Sequence, residues 1–410
     1  MAIIKPFLAF RPRKDIVTEV AALPYDVYNR EEAKEVVKGN PLSFLRIDRA
    51  ETAFDDSVDT YAPCVYAKAK ELLDAMISKG EYIQDETAMY YVYELVMDGR
   101  SQTGIVACAS IDDYINGVIK KHENTRADKE LDRITHVDTC NAQTGPIFLA
   151  YRAKESIDNI VNKIKSTEPE YSFVSDDGIS HNVWLITQGE DVKEIEKAFS
   201  DMSQIYIADG HHRAASAIKV GLKRRDEAVS YDAGAEYNFF LSVLFPDNQL
   251  KILPYNRVVS DLNGYNKEEF IEKIRENFNV EKVSKTFSPE EKCTFGMYLE
   301  GNWYKLTAND NIKSNDPVSG LDVSILQDYL LGPILGIKDP RVDNRIDFVG
   351  GIRGLGELER RADSDMKVAF AMYPTSIKEL FDVADAGMLM PPKSTWFEPK
   401  LRSGIFIHKL

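Results

Sequence analysis

The spacing of hydrophobic and polar positions predicts a chain in which helices and strands alternate. Some segments place apolar residues every three to four positions, as a helix with one buried face does, and others are short β-branched and aromatic runs. The elements predicted in the first 120 residues are helices over 31–38 and 65–78 and strands over 88–97 and 103–111. Asp98-Gly99 lies between these two strands and favours a hairpin turn. The charged segment 120–139 predicts a loop or a short exposed helix.

The alternation continues to about residue 260 and then changes character. In the middle of the chain we predict strands over 147–151, 182–187, 204–208, 237–244 and 249–259, and helices over 156–164, 192–199 and 211–221. In the last third we predict helices over 267–278, 321–335 and 376–383, and strands over 295–299, 303–306 and 367–372. This mixture predicts a mixed α/β (α+β) fold. Its changes in pattern predict three domains, over 1–120, 121–260 and 261–410.

Composition and charge narrow the class of protein. The chain has 410 residues, of which 44% are hydrophobic and 29% charged, as is usual for a folded globular protein. Lys and Arg number 51 against 66 Asp and Glu, so the formal net charge is −15. Because nucleic-acid binding requires basic surface to replace phosphate counterions, this charge argues against a nucleic-acid partner. A local basic pocket for a small phosphate-bearing ligand is still compatible with it.

The spacing of the cysteines and the length of the apolar runs indicate the cellular compartment of the protein. The four cysteines are far apart and form no C-x-x-C pair, which favours a reducing compartment over a zinc site or a disulfide framework. The N-terminal apolar run stops at Lys5, unlike a secretory signal. The most apolar stretch, 237–245, is far shorter than the roughly 20 residues that a membrane span requires. We therefore expect a soluble cytoplasmic protein with no membrane partner.

The strongest candidate chemistry lies in the segment Asp209-Gly210-His211-His212-Arg213, which ends a predicted strand and begins a helix. Helix N-termini carry unpaired N–H groups and a positive partial charge, so they bind anions. Gly210 would let a ligand approach the backbone, and Arg213 suits bidentate contact with phosphate oxygens. Acidic residues are normally preferred here, by about 0.3–1 kcal/mol each. A bound anion would explain why hydrogen-bond donors occupy these positions instead.

Two other interpretations of this segment stay open. Asp209 could simply cap the helix, with the histidines on the surface. Alternatively, the two histidines beside Asp209 could be metal ligands. Geometry weakens this second interpretation, because neighbouring helical side chains point about 100° apart.

A polar loop at His122-Glu123-Asn124-Thr125 supplies a second candidate. A carboxylate beside a bound phosphoryl donor can take the proton from an attacking hydroxyl group. The alternative is an ordinary solvated charged loop.

Three further segments have both a structural and a functional interpretation. Pro24-Tyr25-Asp26-Val27 fits a turn, or a site wall formed by Tyr25 and Asp26. Lys393-Ser394-Thr395 follows two prolines, which suits either a rigid pocket wall for a phosphate or carboxylate or a surface loop. The glycine-rich stretch 350–356 lacks the order G-x-G-x-x-G and predicts a tight connection, and the chain has no G-x-x-x-x-G-K-[ST] phosphate loop.

These segments together resemble known sequences. The Pro-Tyr-Asp-Val, His-Glu-Asn-Thr, Ala-Asp-Gly-His-His-Arg and Pro-Pro-Lys-Ser-Thr segments resemble those of an uncharacterised prokaryotic family. The His-Glu pair, the Asp-Gly-His-His-Arg turn and the Pro-Lys-Ser-Thr stretch also resemble free L-serine kinases of the ParB/sulfiredoxin-like superfamily. This resemblance implies a ParB/sulfiredoxin-like core over 121–260 with large N- and C-terminal additions.

The resemblance also implies a function, namely a kinase that uses ATP or ADP and Mg²⁺ to phosphorylate free L-serine. In this interpretation Glu123 is the general base, and Asp209 orients the site or holds Mg²⁺. The nucleotide phosphates would be held by Gly210, His211, His212 and Arg213. The acceptor pocket would be lined by His122, Tyr25, Asp26, Lys393, Ser394 and Thr395. A non-catalytic nucleotide-binding regulator and a metal-dependent hydrolase are the alternatives, and the choice between ATP and ADP and the oligomeric state stay open.

Overall fold

The computed structural model describes all 410 residues and confirms the mixed α/β fold. Contacts divide the chain into two compact units, one formed by 1–250 with 399–410 and the other by 251–398. This division is coarser than the three predicted domains, which stay a prediction, as does the ParB/sulfiredoxin-like core. No helix is both long enough and apolar enough to cross a lipid bilayer.

The structure contains both helices and strands along its whole length. The helices are α1 Val17–Val20, α2 Arg30–Val37, α3 Leu45–Asp48, α4 Pro63–Ser78, α5 Ile111–Ile115, α6 Ala127–Cys140, α7 Glu155–Lys165, α8 Gly189–Ser200, α9 His211–Glu227, α10 Lys267–Arg275, α11 Asp322–Leu326, α12 Leu355–Ser364 and α13 Ile377–Asp385. The strands are β1 Ile4–Lys5, β2 Phe10–Pro12, β3 Tyr82–Gln84, β4 Tyr90–Met97, β5 Arg100–Ser110, β6 Ile119–Lys120, β7 Ala142–Gln143, β8 Ile147–Tyr151, β9 Tyr171–Val174, β10 Ser180–Ile186, β11 Ile205–Asp209, β12 Phe239–Pro246, β13 Ile252–Leu253, β14 Tyr255–Val259, β15 Phe278–Val283, β16 Thr294–Leu299, β17 Asn302–Ala308, β18 Ile346–Gly350, β19 Val368–Ala371, β20 Trp396–Phe397 and β21 His408–Lys409.

The first unit is built on a nine-stranded sheet. Its strands run in the order β6-β11-β8-β12-β5-β4-β10-β9, and β1 pairs with β5 beside this path. The β6–β11 and β8–β12 pairs are parallel, whereas the other pairs are antiparallel. Alternate side chains of β5, among them Ile105 and Ala107, form one buried cluster with apolar residues of α7, α8 and α9. The C-terminal tail, 399–410, returns to this unit and pairs β21 with β7.

The second unit contains a six-stranded antiparallel sheet in the order β15-β17-β16-β19-β14-β18. Its core includes Val258 and Trp303 of the sheet with Leu358 of α12. The glycine-rich stretch is a short 3-10 turn, Gly351–Arg353, that joins β18 to α12, so the predicted connection is confirmed. Pro254 interrupts the strand predicted over 249–259, because proline has no N–H to give to a sheet.

One prediction from the pattern is wrong. The 120–139 segment contains the 14-residue helix α6, which buries Glu130, Asp132, Arg133 and His136. Its buried charges are paired inside the unit, as between Asp132 and Arg133 at 2.9 Å. Charged positions usually indicate an exposed face, so a helix that buries them in pairs is not detected by periodicity.

Candidate functional site

Two parallel strands bring the His122-Glu123 pair to the segment 209–213, called here the 209–213 turn. β6 and β11 are parallel neighbours, and the carboxyl ends of parallel strands lie at the same edge of a sheet. The rings of His122 and His211 are in edge-to-face contact, with their centroids 4.5 Å apart. Glu123 Oε2 lies 3.8 Å from His211 Nδ1. The structure therefore brings these two motifs together at one sheet edge.

The backbone of the turn is shaped by a bulge and a glycine. The pairing of β11 with β8 shifts between Ile207 and Asp209, and such a bulge redirects the side chains that follow it. Gly210 has φ of 92° and directly precedes the 17-residue helix α9, which has no acidic residue in its first turn. A Cβ atom on Gly210 would lie 3.0 Å from Arg213 Nη2. Glycine is thus required both by the backbone conformation and by the position of the arginine.

Asp209 lies between two cations. Arg213 Nη2 is 3.5 Å and Lys400 Nζ is 3.6 Å from the same carboxylate oxygen, Oδ2. Burial favours the neutral acid, but the charges of Lys400 and Arg213 outweigh it and lower the pKa of Asp209 to about 2. Arg213 is also anchored, because its Nη1 donates to the carbonyl oxygen of Pro146 at 2.5 Å. Asp209 is therefore ionised at neutral pH.

Lys400 was missed in the sequence analysis. It is one of three basic residues in a tail without helical or strand periodicity, so nothing in its spacing links it to a turn almost 200 residues earlier. A basic residue a few positions after the Pro-Lys-Ser-Thr stretch was the only available signal.

Two histidines at the site are buried and neutral. The exposed fraction is 2% for His122 and 6% for His211. Burial lowers the pKa of His122 to about 4, and burial together with the neighbouring His122 lowers the pKa of His211 well below its usual range. His122 Nδ1 and His211 Nε2 are buried and have no hydrogen-bond partner within the protein, which is rare for buried polar atoms. The imidazole of His211 is therefore buried rather than exposed at the surface of the turn.

His212 points in a different direction from His211. Its Nε2 accepts a hydrogen bond from the backbone N–H of Arg126 at 3.0 Å, which ties α9 to the loop that carries Glu123. The adjacent imidazoles therefore do not converge on one ion, in line with the angle between neighbouring helical side chains.

No group of three or more His, Cys, Asp or Glu side chains in the chain is arranged to hold a metal ion. Mg²⁺ at phosphoryl-transfer sites is held by one or two carboxylates together with substrate phosphates. The single carboxylate of Asp209 fits that kind of ligand set.

The Pro-Tyr-Asp-Val segment also reaches this site. Tyr25 is buried, with the guanidinium carbon of Arg133 4.0 Å from its ring centroid. Tyr25 and Arg213 line a common cavity of about 30 Å³. Asp26 is exposed, and its negative charge opposes the lowering of the His212 pKa by burial. Tyr25 thus forms part of the wall behind Arg213, and Asp26 lies on the side of His212.

The stretch 393–395 belongs to the second unit. Lys393 has φ of 59°, and its ammonium group is 5.5 Å from the ring centroid of Tyr255. Ser394 is buried, and its hydroxyl donates to the carbonyl oxygen of Pro391 at 2.6 Å, which closes the turn. Roles for Lys393, Ser394 and Thr395 at the acceptor stay a prediction.

Comparisons with known proteins place the chain in a family. It belongs to the family described as "Protein of unknown function (DUF1015)", whose model matches residues 4–324. A search of curated proteins gives no significant match.

Several solved structures are distantly similar to the chain. A free serine kinase in complex with AMP is 14% identical, with 72% of this chain and 86% of that chain covered and a TM-score of 0.36. C-terminally truncated SbnI from Staphylococcus aureus is 12% identical, with coverages of 72% and 82% and a TM-score of 0.38. A conserved hypothetical protein from Pyrococcus furiosus is 14% identical, with coverages of 73% and 93% and a TM-score of 0.34. These likenesses are too distant to carry a functional conclusion.

Proposed function

We propose that this DUF1015 protein is a kinase that transfers a phosphoryl group from ATP or ADP to the hydroxyl group of free L-serine, giving O-phosphoserine. The observation that carries the proposal is the meeting of a carboxylate, Glu123, with the N-terminus of α9 at the 209–213 turn. Phosphoryl transfer needs groups that hold the donor phosphates and a base beside the acceptor hydroxyl. Phosphate-holding groups and a candidate base lie together at one edge of the sheet.

The N-terminus of α9 holds the donor phosphates in this proposal. The backbone N–H groups at the N-terminus of a helix point out of its first turn, here those of His211, His212 and Arg213, and Gly210 lets the Arg213 guanidinium lie close to the backbone. The guanidinium of Arg213 adds a positive charge that Pro146 keeps in place. Because His122 and His211 are neutral, the cations beside the start of α9 are Arg213 and Lys400, which both flank Asp209.

Glu123 is the proposed base. Its side chain is 42% exposed, so an acceptor can reach it, and its Oε2 lies 3.8 Å from His211 Nδ1. The carboxylate takes the proton of the serine hydroxyl while that oxygen attacks the terminal phosphorus. The bond between this phosphorus and the bridging oxygen breaks, and ADP leaves when the donor is ATP, or AMP when it is ADP. Mg²⁺, held by Asp209 and the phosphates, would neutralise negative charge on the phosphoryl group.

The acceptor side is assigned from the motifs together with their position at the turn. His122, Tyr25 and Asp26 lie around the turn in the first unit. The motifs that resemble free L-serine kinases favour serine, and Lys393, Ser394 and Thr395 would complete its pocket. The serine assignment therefore rests on the motifs, whereas phosphoryl transfer rests on the geometry.

The test is a transfer assay with the full chain. The protein is incubated with Mg²⁺, ATP or ADP carrying a labelled terminal phosphate, and a panel of hydroxyl-bearing amino acids and small alcohols. We expect labelled O-phosphoserine from L-serine and little product from L-alanine, which lacks the hydroxyl group. Nucleotide binding with no transfer to any acceptor would contradict the kinase and indicate a nucleotide-binding regulator. Transfer to another hydroxyl compound would contradict only the serine assignment.

A further inference from the structure

We propose that His212 is a positioning residue, whose imidazole holds the loop over 121–126 so that Glu123 stays at the 209–213 turn. This role rests on the proposed kinase function, because it assumes that Glu123 acts as the base. The loop joins β6 to α6, and α9 begins within the turn that would hold the phosphates. A side chain that ties the loop to α9 therefore sets the position of the base relative to the phosphates.

The imidazole of His212 contacts the last residue of this loop. Its Nε2 accepts a hydrogen bond from the backbone N–H of Arg126 at 3.0 Å. Because Nε2 is the acceptor, the ring is neutral and carries its proton on Nδ1. Burial lowers the pKa of His212 from its ordinary value, which favours this neutral form at physiological pH. The imidazole thus serves as a hydrogen-bond acceptor for the loop and not as a positive charge for the phosphates.

The face of α9 that contacts the loop and the start of α6 extends beyond His212. His212, Ser216 and Lys219 are spaced by four and three residues, so they share one face of the helix. Ser216 Oγ donates to the carbonyl oxygen of Glu130 at 3.2 Å, and Lys219 forms an ion pair with the Glu130 carboxylate. That carboxylate also accepts a hydrogen bond from Thr125 Oγ1 at 2.6 Å. The C-terminal part of the loop is therefore attached to α9 both directly, through His212, and by way of α6.

Glu123 lies between the two ends of the loop at which α9 makes contact. On one side, the ring of His122 meets that of His211, and on the other side the backbone of Arg126 meets His212. A base must keep its distance from the reacting hydroxyl group, since a misplacement of about 1 Å can lower a rate by about 10²-fold. Loss of the acceptor on His212 would release the Arg126 N–H from α9, so the loop could shift relative to the turn.

The test compares two variants of His212 with a control on the same helix, all in the full-length protein. His212→Ala removes the acceptor, whereas His212→Gln supplies an amide oxygen that can take the place of Nε2. Lys223→Ala is the control, because Lys223 also joins α9 to α6, through Asp138 at 2.7 Å, but further along the helix and away from the loop. Steady-state kinetics with L-serine give kcat and KM, and calorimetry gives the affinity for ADP. Hydrogen exchange, followed by mass spectrometry, measures the opening of the 121–126 loop.

We expect His212→Ala to lower kcat by about 10- to 100-fold, because the base is no longer held beside the acceptor hydroxyl. Its affinity for ADP should stay close to that of the wild type, since the backbone N–H groups at the start of α9 are unchanged. The amides of the 121–126 loop should exchange faster than in the wild type. His212→Gln should restore most of kcat and of the protection from exchange, and Lys223→Ala should match the wild type in all three measurements.

The possible results separate this inference from the proposed function. Wild-type kcat in His212→Ala overturns the role of His212 and leaves the kinase proposal in place. A fall in kcat without faster loop exchange, an equal fall in His212→Gln, or an equal loss of ADP affinity would mean that the imidazole acts directly on the reactants, and each overturns the inference. Failure of the wild-type protein to transfer phosphate to any acceptor overturns the proposed function itself, and the role of His212 with it. If His212→Ala does not fold, as judged by circular dichroism, His212→Phe, which keeps a ring but has no acceptor, is used in its place with the same criteria.

Discussion

Adjacent histidines in the 209–213 turn have different roles because their side chains meet different surroundings. The His211 imidazole is buried against His122 and Glu123, whereas His212 accepts a hydrogen bond from the backbone of Arg126. Since burial disfavours the charged form, neither His122 nor His211 contributes a positive charge to phosphate binding. At this scale the site therefore depends on one carboxylate, Glu123, and on the cations around Asp209.

Glu123→Gln tests the base. The amide keeps the shape of the side chain but cannot accept the proton, so we expect kcat to fall by about 10²–10⁴. Nucleotide affinity should change little, because the base acts on the acceptor in the transition state. Steady-state kinetics and calorimetry with ADP measure the two effects. The control is Glu86→Gln, at an exposed glutamate on the loop between β3 and β4. Near wild-type kcat in Glu123→Gln would move the role of base to another group, with Asp209 next to be tested.

Arg213→Ala tests the phosphate site. Removal of the guanidinium should weaken nucleotide binding more than tenfold, which is about 1.4 kcal/mol or more. It should also lower kcat, since the phosphates need this charge in the ground state and in the transition state. The matched control is Arg224→Ala, at the far end of α9, where the arginine pairs with Asp138 at 2.9 Å. Calorimetry measures the affinity, and an unchanged nucleotide affinity in Arg213→Ala would contradict the assignment of the phosphate site to the 209–213 turn.

At the scale of secondary-structure elements, the groups of the candidate site gather around the junction between β11 and α9. The parallel neighbour β6 ends at the same sheet edge, so its following loop delivers His122 and Glu123 to the start of α9. Helix α6 then packs on α9, where Ser216 Oγ donates to the carbonyl oxygen of Glu130 at 3.2 Å and Lys219 forms an ion pair with the carboxylate of the same residue. The loop of Glu123 is therefore fixed at both of its ends by regular structure.

Gly210→Ala tests this junction. A residue with a Cβ at φ of 92° is strained by about 1–2 kcal/mol, and the new methyl group would press on the guanidinium of Arg213. We expect a lower unfolding temperature together with weaker nucleotide binding. Gly189→Ala is the control, because Gly189 begins α8 with open space around the added Cβ and without positive φ. Wild-type stability and affinity in Gly210→Ala would show that the turn tolerates a side chain.

At the scale of the whole molecule, the site is a local exception to the overall charge. The chain carries a formal charge of −15, yet two cations, Arg213 and Lys400, flank Asp209 beside a helix N-terminus. Buried ionisable groups also couple the site to global stability, since the neutral histidines of the folded protein take up protons when the chain unfolds.

The stability of the protein should fall as the pH falls from about 6.5 to about 4. The pKa of His122 is about 4 in the folded protein and about 6.5 in an unfolded chain, so the unfolded state binds the extra proton in this interval. The contribution of His122 is fully present above about pH 6.5, and its loss corresponds to about 3 kcal/mol. Urea unfolding at pH 7.5 and 4.5 measures this change. His122→Phe should reduce the difference between the two pH values, and an identical difference in both proteins would contradict the prediction.

The amino-acid sequence by itself determined most of the helices and strands, and it determined that the segment 209–213 joins a strand to a helix. The β4–β5 hairpin with its Asp98-Gly99 turn, and the strand–glycine–helix junction at 209–213, depend on periodicity and turn chemistry that act over a few residues. These local preferences can be read without knowing the fold.

Only the tertiary structure decided which distant groups share the site. The approach of Glu123 to His211 depends on the parallel pairing of β6 with β11, and that of Lys400 to Asp209 depends on the return of the tail to the first unit. The burial of charged residues in α6 likewise depends on ion-pair partners contributed by packing. Such contacts join residues far apart in the chain, and local spacing carries no information about them, because they are set by strand order and by the burial of whole faces.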